Sequence, residues 1–268
     1  EVETKNGAIH IAGGSIGQNA TLTADTEGVN SGNIIIGYNG DDANNVTAKN
    51  STSIGGTIKA KSNLWLKAFS EGKLNFKDSD IKQNMDVVSN GQVKVDNSRI
   101  GQNLTVKAKR LYTNWGVTDP SIKTKVDGNL DVETNLNASL EHVEVGNDAT
   151  VTTGLTSHAP NGSVTSTAYI SDFKSKNLTV NSGDDVQIND STIDGTLKAT
   201  AGKLNPNMKG SDNKKNAMFF MKDSKVSKDL EVETKNGAIH IAGGSIGQNA
   251  TLTADTEGVN SGNIIIGY

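Results

Sequence analysis

The sequence has no cysteine and only three prolines, and aromatic residues fill just 4% of its 268 positions. Without thiols there are no disulfide staples, no thiolate metal centres and no thiol nucleophile. With hydrophobic residues at 34% and so few aromatics, there is too little large apolar volume for a thick globular core. Such a chain either stays disordered or buries narrow stripes of small aliphatics in a thin, repetitive core. No apolar run approaches the roughly 18–20 residues that cross a bilayer. The opening residues, Glu-Val-Glu-Thr-Lys-Asn, lack the apolar stretch of a signal peptide, so an export signal is expected elsewhere in a longer parent chain. Charge of one sign is also lacking: 26 basic and 30 acidic residues give a net charge of -4. They are interspersed, without the basic stripe that marks a nucleic-acid binder. Neither nucleic acid nor membrane insertion is therefore expected.

What the chain does have is repetition. Residues 1–38, EVETKNGAIHIAGGSIGQNATLTADTEGVNSGNIIIGY, recur without one change as residues 231–268, a period of 230. Identity of this kind points to a tandem array, so residues 1–268 are expected to be one continuous segment: a unit over 1–230 and the start of the next over 231–268.

A shorter, degenerate period runs inside that unit. Its clearest copy is Ser98-Arg99-Ile100-Gly101-Gln102-Asn103-Leu104-Thr105-Val106, and others begin at Ile16, Ile54, Ile81, Val126, Val145, Phe173, Ile193 and Val226. Ile81 to Ile100 and Val126 to Val145 are each 19 residues; Phe173 to Ile193 and Val226 to Ile246 are each 20. Between copies lies a Gly-x-apolar-x-apolar element, as at Val93-Lys94-Val95, Val186-Gln187-Ile188, Leu74-Asn75-Phe76 and Ile9-His10-Ile11. Alternation over four or five residues is the signature of a half-buried strand, and the Gly, Asn, Asp and Ser between strands suit tight turns. No segment has helical spacing. An antiparallel sandwich does not require its strands to resemble one another at constant spacing, whereas a solenoid stacks each rung on its own copy about 4.8 Å away. The expectation is an all-β parallel β-solenoid of 19–20-residue rungs. Ile81, Ile100, Val126 and Val145 are its repeating aliphatics, Leu104 and Val106 its inward pair, and Asn84, Asn103 and Asn129 a side-chain ladder.

Proline cannot donate a hydrogen bond in a central strand, and all three prolines fall where the ruler breaks. Leu104 to Leu130 is 26 residues, Ala149 to Leu178 is 29 and Leu197 to Leu230 is 33. These excesses, around Pro120, Pro160 and Pro206, predict three insertions leaving the shaft near residues 109–124, 154–170 and 202–222. Over 24–70, the apolar positions Ile34, Ile36, Val46 and Leu64-Trp65-Leu66 allow more than one register.

The SxIGxNLTVxA-like rung with its GxVxI return strand resembles the filamentous haemagglutinin-type exoproteins of two-partner secretion in Gram-negative bacteria. The resemblance implies a right-handed parallel β-helix exported through an outer-membrane pore partner. It also implies a secreted or surface-bound fibre that acts in adhesion, biofilm or contact between cells. The family's N-terminal secretion domain is not among these residues. Asn205-Pro206-Asn207 resembles a short motif of that domain but sits mid-repeat and reads as a turn.

Other parallel β-helices act on polysaccharides, which takes acid–base or metal chemistry. Asp41-Asp42 and Asp184-Asp185 are the adjacent acidic pairs, and each reads as turn aspartates, with no basic partner at a matching spacing. The histidines are His10, His142, His158 and His240; His10 and its copy His240 occupy an outward slot between isoleucines. No nucleophile elbow or phosphate-binding glycine loop appears. The Asn-x-Ser/Thr triplets at Asn19, Asn45, Asn103, Asn137 and Asn177 follow from the Asn-apolar-Thr rung itself, though they are also sugar acceptors in form. Tyr112 and Trp115, Tyr169, and Met218-Phe219-Phe220-Met221 are candidate contact residues for a receptor or a neighbouring fibre, set against the alternative that they fold back onto a sheet face. The chain reads as a structural fibre segment with no cofactor and no catalysis. Its partners would be neighbouring repeats, other fibres and a surface receptor. The alternative is a carbohydrate-binding or carbohydrate-active β-helix; an ice-binding solenoid would need a regular Thr-x-Thr array that the rungs between Thr21-Leu22-Thr23 and Thr150-Val151-Thr152 lack.

Overall fold

The computed structural model describes residues 1–24, 32–39, 48–154, 166–202, 218–235, 237–256 and 262–267. The described chain is all β, with no helix, as the alternating pattern requires. It divides into two compact units, residues 1–129 and 130–268. Among the described residues of each, pairing is parallel apart from an antiparallel contact between Tyr38–Asn39 and Ala48–Lys49.

In the first unit, one stack runs through Ile9–Ile11, Ile34–Ile36, Leu66–Ser70, Met85–Asp96 and Leu104–Thr113. Ile9, Ile34, Leu66, Met85 and Leu104 lie over one another, as do Ile11, Ile36, Ala68, Val87 and Val106. The ambiguous stretch thus settles with Leu66 inward and completely buried, while Trp65 packs against the cluster of Ile35, Tyr38 and Phe69. A second stack joins Leu74–Lys77 to the later half of Met85–Asp96, with Phe76 beside Val95, and Val93 beside Leu111. A third places Ile81 beside Ile100 and Ile100 beside Val126.

The second unit repeats this plan. Leu130, Ala149, Leu178, Leu197, Leu230 and Ala250 form one column, and Val132, Val151, Val180, Ala199, Val232 and Leu252 the next. A parallel column runs Ala138, Ala168, Val186, Phe219, Ile239 and Ile264. Away from the ends of the chain, each inward column is a row of mostly aliphatic side chains with little or no exposure, the thin core that the composition demanded.

All three predicted insertions are shorter than the sequence suggests. Strand Leu104–Thr113 carries Arg110, Leu111 and Tyr112 alongside Gln92, Val93 and Lys94, and the chain leaves the sheet only between Thr113 and Thr124. The register shift between Ser89 and Gln92 places Lys109 and Arg110 outward in succession, which breaks the alternation and hides the continuing strand. Likewise, Phe219–Lys222 is a strand between Val186–Asn189 and Ile239–Ala242, so residues 218–222 belong to the sheet. Ala168–Ser175 is a strand as well, which places the end of the 154–170 span in the sheet. Residues 155–165 and 203–217, with Pro160 and Pro206, lie outside the described residues.

Candidate functional site

The rung turns show how sequence positions the side chains. Asn103 donates its Nδ2 hydrogen to Asn84 Oδ1 at 3.1 Å, and its own Oδ1 accepts from the Asn129 backbone N–H at 2.9 Å. The same slot holds Asn177, donating to Asp148 Oδ1 at 2.8 Å, and Asn249, donating to Asp229 Oδ1 at 2.9 Å. Asn19 Oδ1 accepts from the Thr57 N–H at 2.8 Å. The amides of Asn19, Asn103 and Asn177 are therefore engaged in turn bonds; Asn45 lies outside the described residues. Val145 is buried.

A second ladder was not read from the sequence. Ser79, Ser98, Ser191 and Ser224 are all buried. The Ser98 hydroxyl accepts from the Ser79 N–H at 3.2 Å, and the Ser224 hydroxyl from the Ser191 N–H at 3.1 Å. Before each serine stands Asp78, Asn97, Asp190 or Asp223 with φ between 44° and 52°, a left-handed conformation that Asp and Asn tolerate better than most residues. The motif Asp/Asn-Ser-x-Ile/Val was visible in the sequence; its signal was the pairing of a left-handed residue with a buried hydroxyl. His142 and Asp172 also have positive φ, 53° and 45°, and His142 Nδ1 lies 2.7 Å from Asp172 Oδ2.

The proposed contact residues separate into two groups. Phe219 and Met221 are completely buried and serve as core residues in the column with Val186 and Ile188. Phe220 faces outward between Gln187 and His240, and the Met218 N–H donates to Asp185 Oδ1 at 2.9 Å. Asp184 is buried and its N–H donates to Ser182 Oγ at 3.3 Å, so this acidic pair shapes the sheet edge. Tyr169 lies in a strand between Ser139 and Gln187. Trp115 is different: it is 61% exposed, and its ring centroid lies 5.4 Å from that of Tyr112. His10 is exposed, with Nε2 2.6 Å from the Tyr38 carbonyl. Asp41-Asp42 and His158 lie outside the described residues.

Among the described residues there is no cluster of three or more His, Asp or Glu placed to hold a metal ion, and no helix long and apolar enough to cross a membrane. No protein family, no curated protein and no solved structure matches this chain.

Proposed function

We propose that this chain is a segment of a right-handed parallel β-solenoid shaft within a long secreted bacterial surface fibre. Its work is reach, stiffness and display in adhesion, biofilm or contact between cells, carried by geometry and not by a reaction. The observation that carries this reading is the register: a step of 19 residues sets Ile81 beside Ile100 and Asn84 against Asn103, so like residues stack on like. Right-handed winding follows the strong chirality of connections between parallel strands. Exact recurrence of residues 1–38 at 231–268 supports a tandem array, and secretion through an outer-membrane pore rests on the resemblance of the rung.

The test is length. A chain of two tandem units should be longer than a chain of one by about 50 Å, ten rungs at about 4.8 Å, at constant width in electron micrographs. A second unit that widens the particle without lengthening it would contradict the fibre.

A further inference from the structure

Apart from residues close to the two ends of the chain, Trp115 is the one large apolar side chain that stands exposed among the described residues. It is not on a loose tether. Its neighbour Asn114 is completely buried and fixes the turn at three points: its N–H donates to Asp96 Oδ1 at 2.7 Å, its Oδ1 accepts from the Asn97 N–H at 2.7 Å, and its Nδ2 donates to Thr124 Oγ1 at 3.3 Å. The Val117 N–H closes the turn on the Asn114 carbonyl at 3.0 Å. The backbone that carries the indole is thus fixed, with the Tyr112 ring tilted 45° beside the indole. A large apolar ring costs free energy in water, and a fixed backbone leaves less ordering entropy to lose on binding.

The surroundings set the chemistry of an occupant. Lys94 Nζ lies 5.8 Å from the Trp115 ring centroid, and Lys94 is the register partner of both Tyr112 and Asn75. Arg110, two residues before Tyr112 on the same outward face, is half-buried, and its Nε makes no hydrogen bond among the described residues. Neither Lys94 nor Arg110 forms a salt bridge there. Flat aromatic rings with an ammonium beside them and a guanidinium two residues along the same strand face suit a sugar ring bearing a carboxylate: the pyranose C–H face stacks on the indole, and the carboxylate meets the ammonium and the planar guanidinium.

We propose that Trp115, Tyr112, Lys94 and Arg110 form a binding platform for an acidic polysaccharide of uronic-acid type. The platform stands on residues of the first unit alone and does not depend on the fibre reading.

The test uses the 268-residue chain titrated with hexagalacturonate, followed by calorimetry and by the two indole N–H signals in NMR spectra. The Trp115 signal shifts saturably while that of Trp65 stays, and uncharged maltohexaose binds at least about tenfold more weakly. Trp115→Ala lowers affinity by about tenfold or more, and its melting temperature is unchanged because the ring is exposed. Lys94→Gln and Arg110→Gln each weaken binding and flatten its salt dependence, while Lys198→Gln on the second unit does neither. No saturable shift at millimolar ligand, equal binding of the uncharged sugar, or equal binding by Trp115→Ala would overturn the proposal. So would concentration-dependent self-association of the unliganded chain abolished by Trp115→Ala, which would make the surface a contact between copies.

Discussion

The same 38-residue sequence is present twice, and its two copies differ in what covers them. Their backbone pairings agree: Val2 lies beside Leu22 as Val232 lies beside Leu252, and Ile9 beside Ile34 as Ile239 beside Ile264. Burial does not agree. Ile34 and Ile36 are fully buried under Leu66–Ser70, whereas their copies Ile264 and Ile266 are 45% and 63% exposed. The opposite holds at the other edge, where Val2 is 44% exposed but its copy Val232, stacked on Ala199, is 4% exposed. Local sequence therefore sets the conformation of a rung, and the neighbouring rungs supply its core. The proposed solenoid would behave in this way, its stability summing the interfaces between adjacent repeats.

The comparison can be broken most sharply at the isoleucines. Ile36→Ala should cost about 2–5 kcal/mol in unfolding free energy, the range for emptying a tightly packed aliphatic site. Ile266→Ala, an identical change in an identical sequence, should stay within about 0.5 kcal/mol. Urea unfolding of both variants decides this, and equal losses would show that rungs bury themselves.

A smaller contrast lies at a glycine. Gly37 and its copy Gly267 have φ of 73° and 85°, so alanine at either is strained by about 1 kcal/mol. At Gly37 a Cβ would also stand 1.9 Å from the Phe69 carbonyl oxygen, while at Gly267 nothing lies within 4 Å. Gly37→Ala should consequently destabilise by at least about 1 kcal/mol more than Gly267→Ala, typical of forced overpacking, as read by thermal melts of the two variants.

The smallest effect extends the contrast to an ionisable group. Asp96, stacked beside Lys77 of the neighbouring strand, has its carboxyl raised above the usual range. The main cause is burial, helped by Asp78 and opposed by the Asn114 N–H, Lys94 and Lys77. A raised folded-state pKa means the folded chain holds that proton more tightly than the unfolded chain. Its contribution is most favourable below the ordinary carboxylate value of about 3.9 and declines as pH rises through the raised value. Asp96→Asn should remove that decline, seen as a flatter stability curve in the acid range.

Much of this arrangement was legible because stacking copies the same residue onto itself. The 19-residue step through Ile81 and Ile100 and the Asn84 to Asn103 ladder needed only a ruler. Where neighbours are unlike, the ruler fails. Ile34 to Leu66 is 32 residues, and their pairing depends on an outward cluster of Ile35, Tyr38 and Phe69 that no local period encodes. Tyr112 looked like loop because Lys109 and Arg110 face outward in succession. Phe219 and Met221 looked like a contact patch because large side chains fill positions that other rungs give to Val and Ile. At the proposed site, the aromatic residues themselves drew notice in the sequence. Lys94 and Arg110 did not, since only the stacking of Lys94 beside Tyr112 brings its ammonium to the rings and only the strand's continuation sets Arg110 on the same face.

The most direct measurement is a contact map of labelled methyl groups by NMR, with isoleucine and valine methyls assigned by single substitution. Parallel rungs predict cross-peaks between Ile81 and Ile100 and between Ile100 and Val126, with in-register backbone contacts between Asp80 and Arg99. Absence of the Ile81–Ile100 contact, or its occurrence between strands running in opposite directions, would contradict the stacked-rung account.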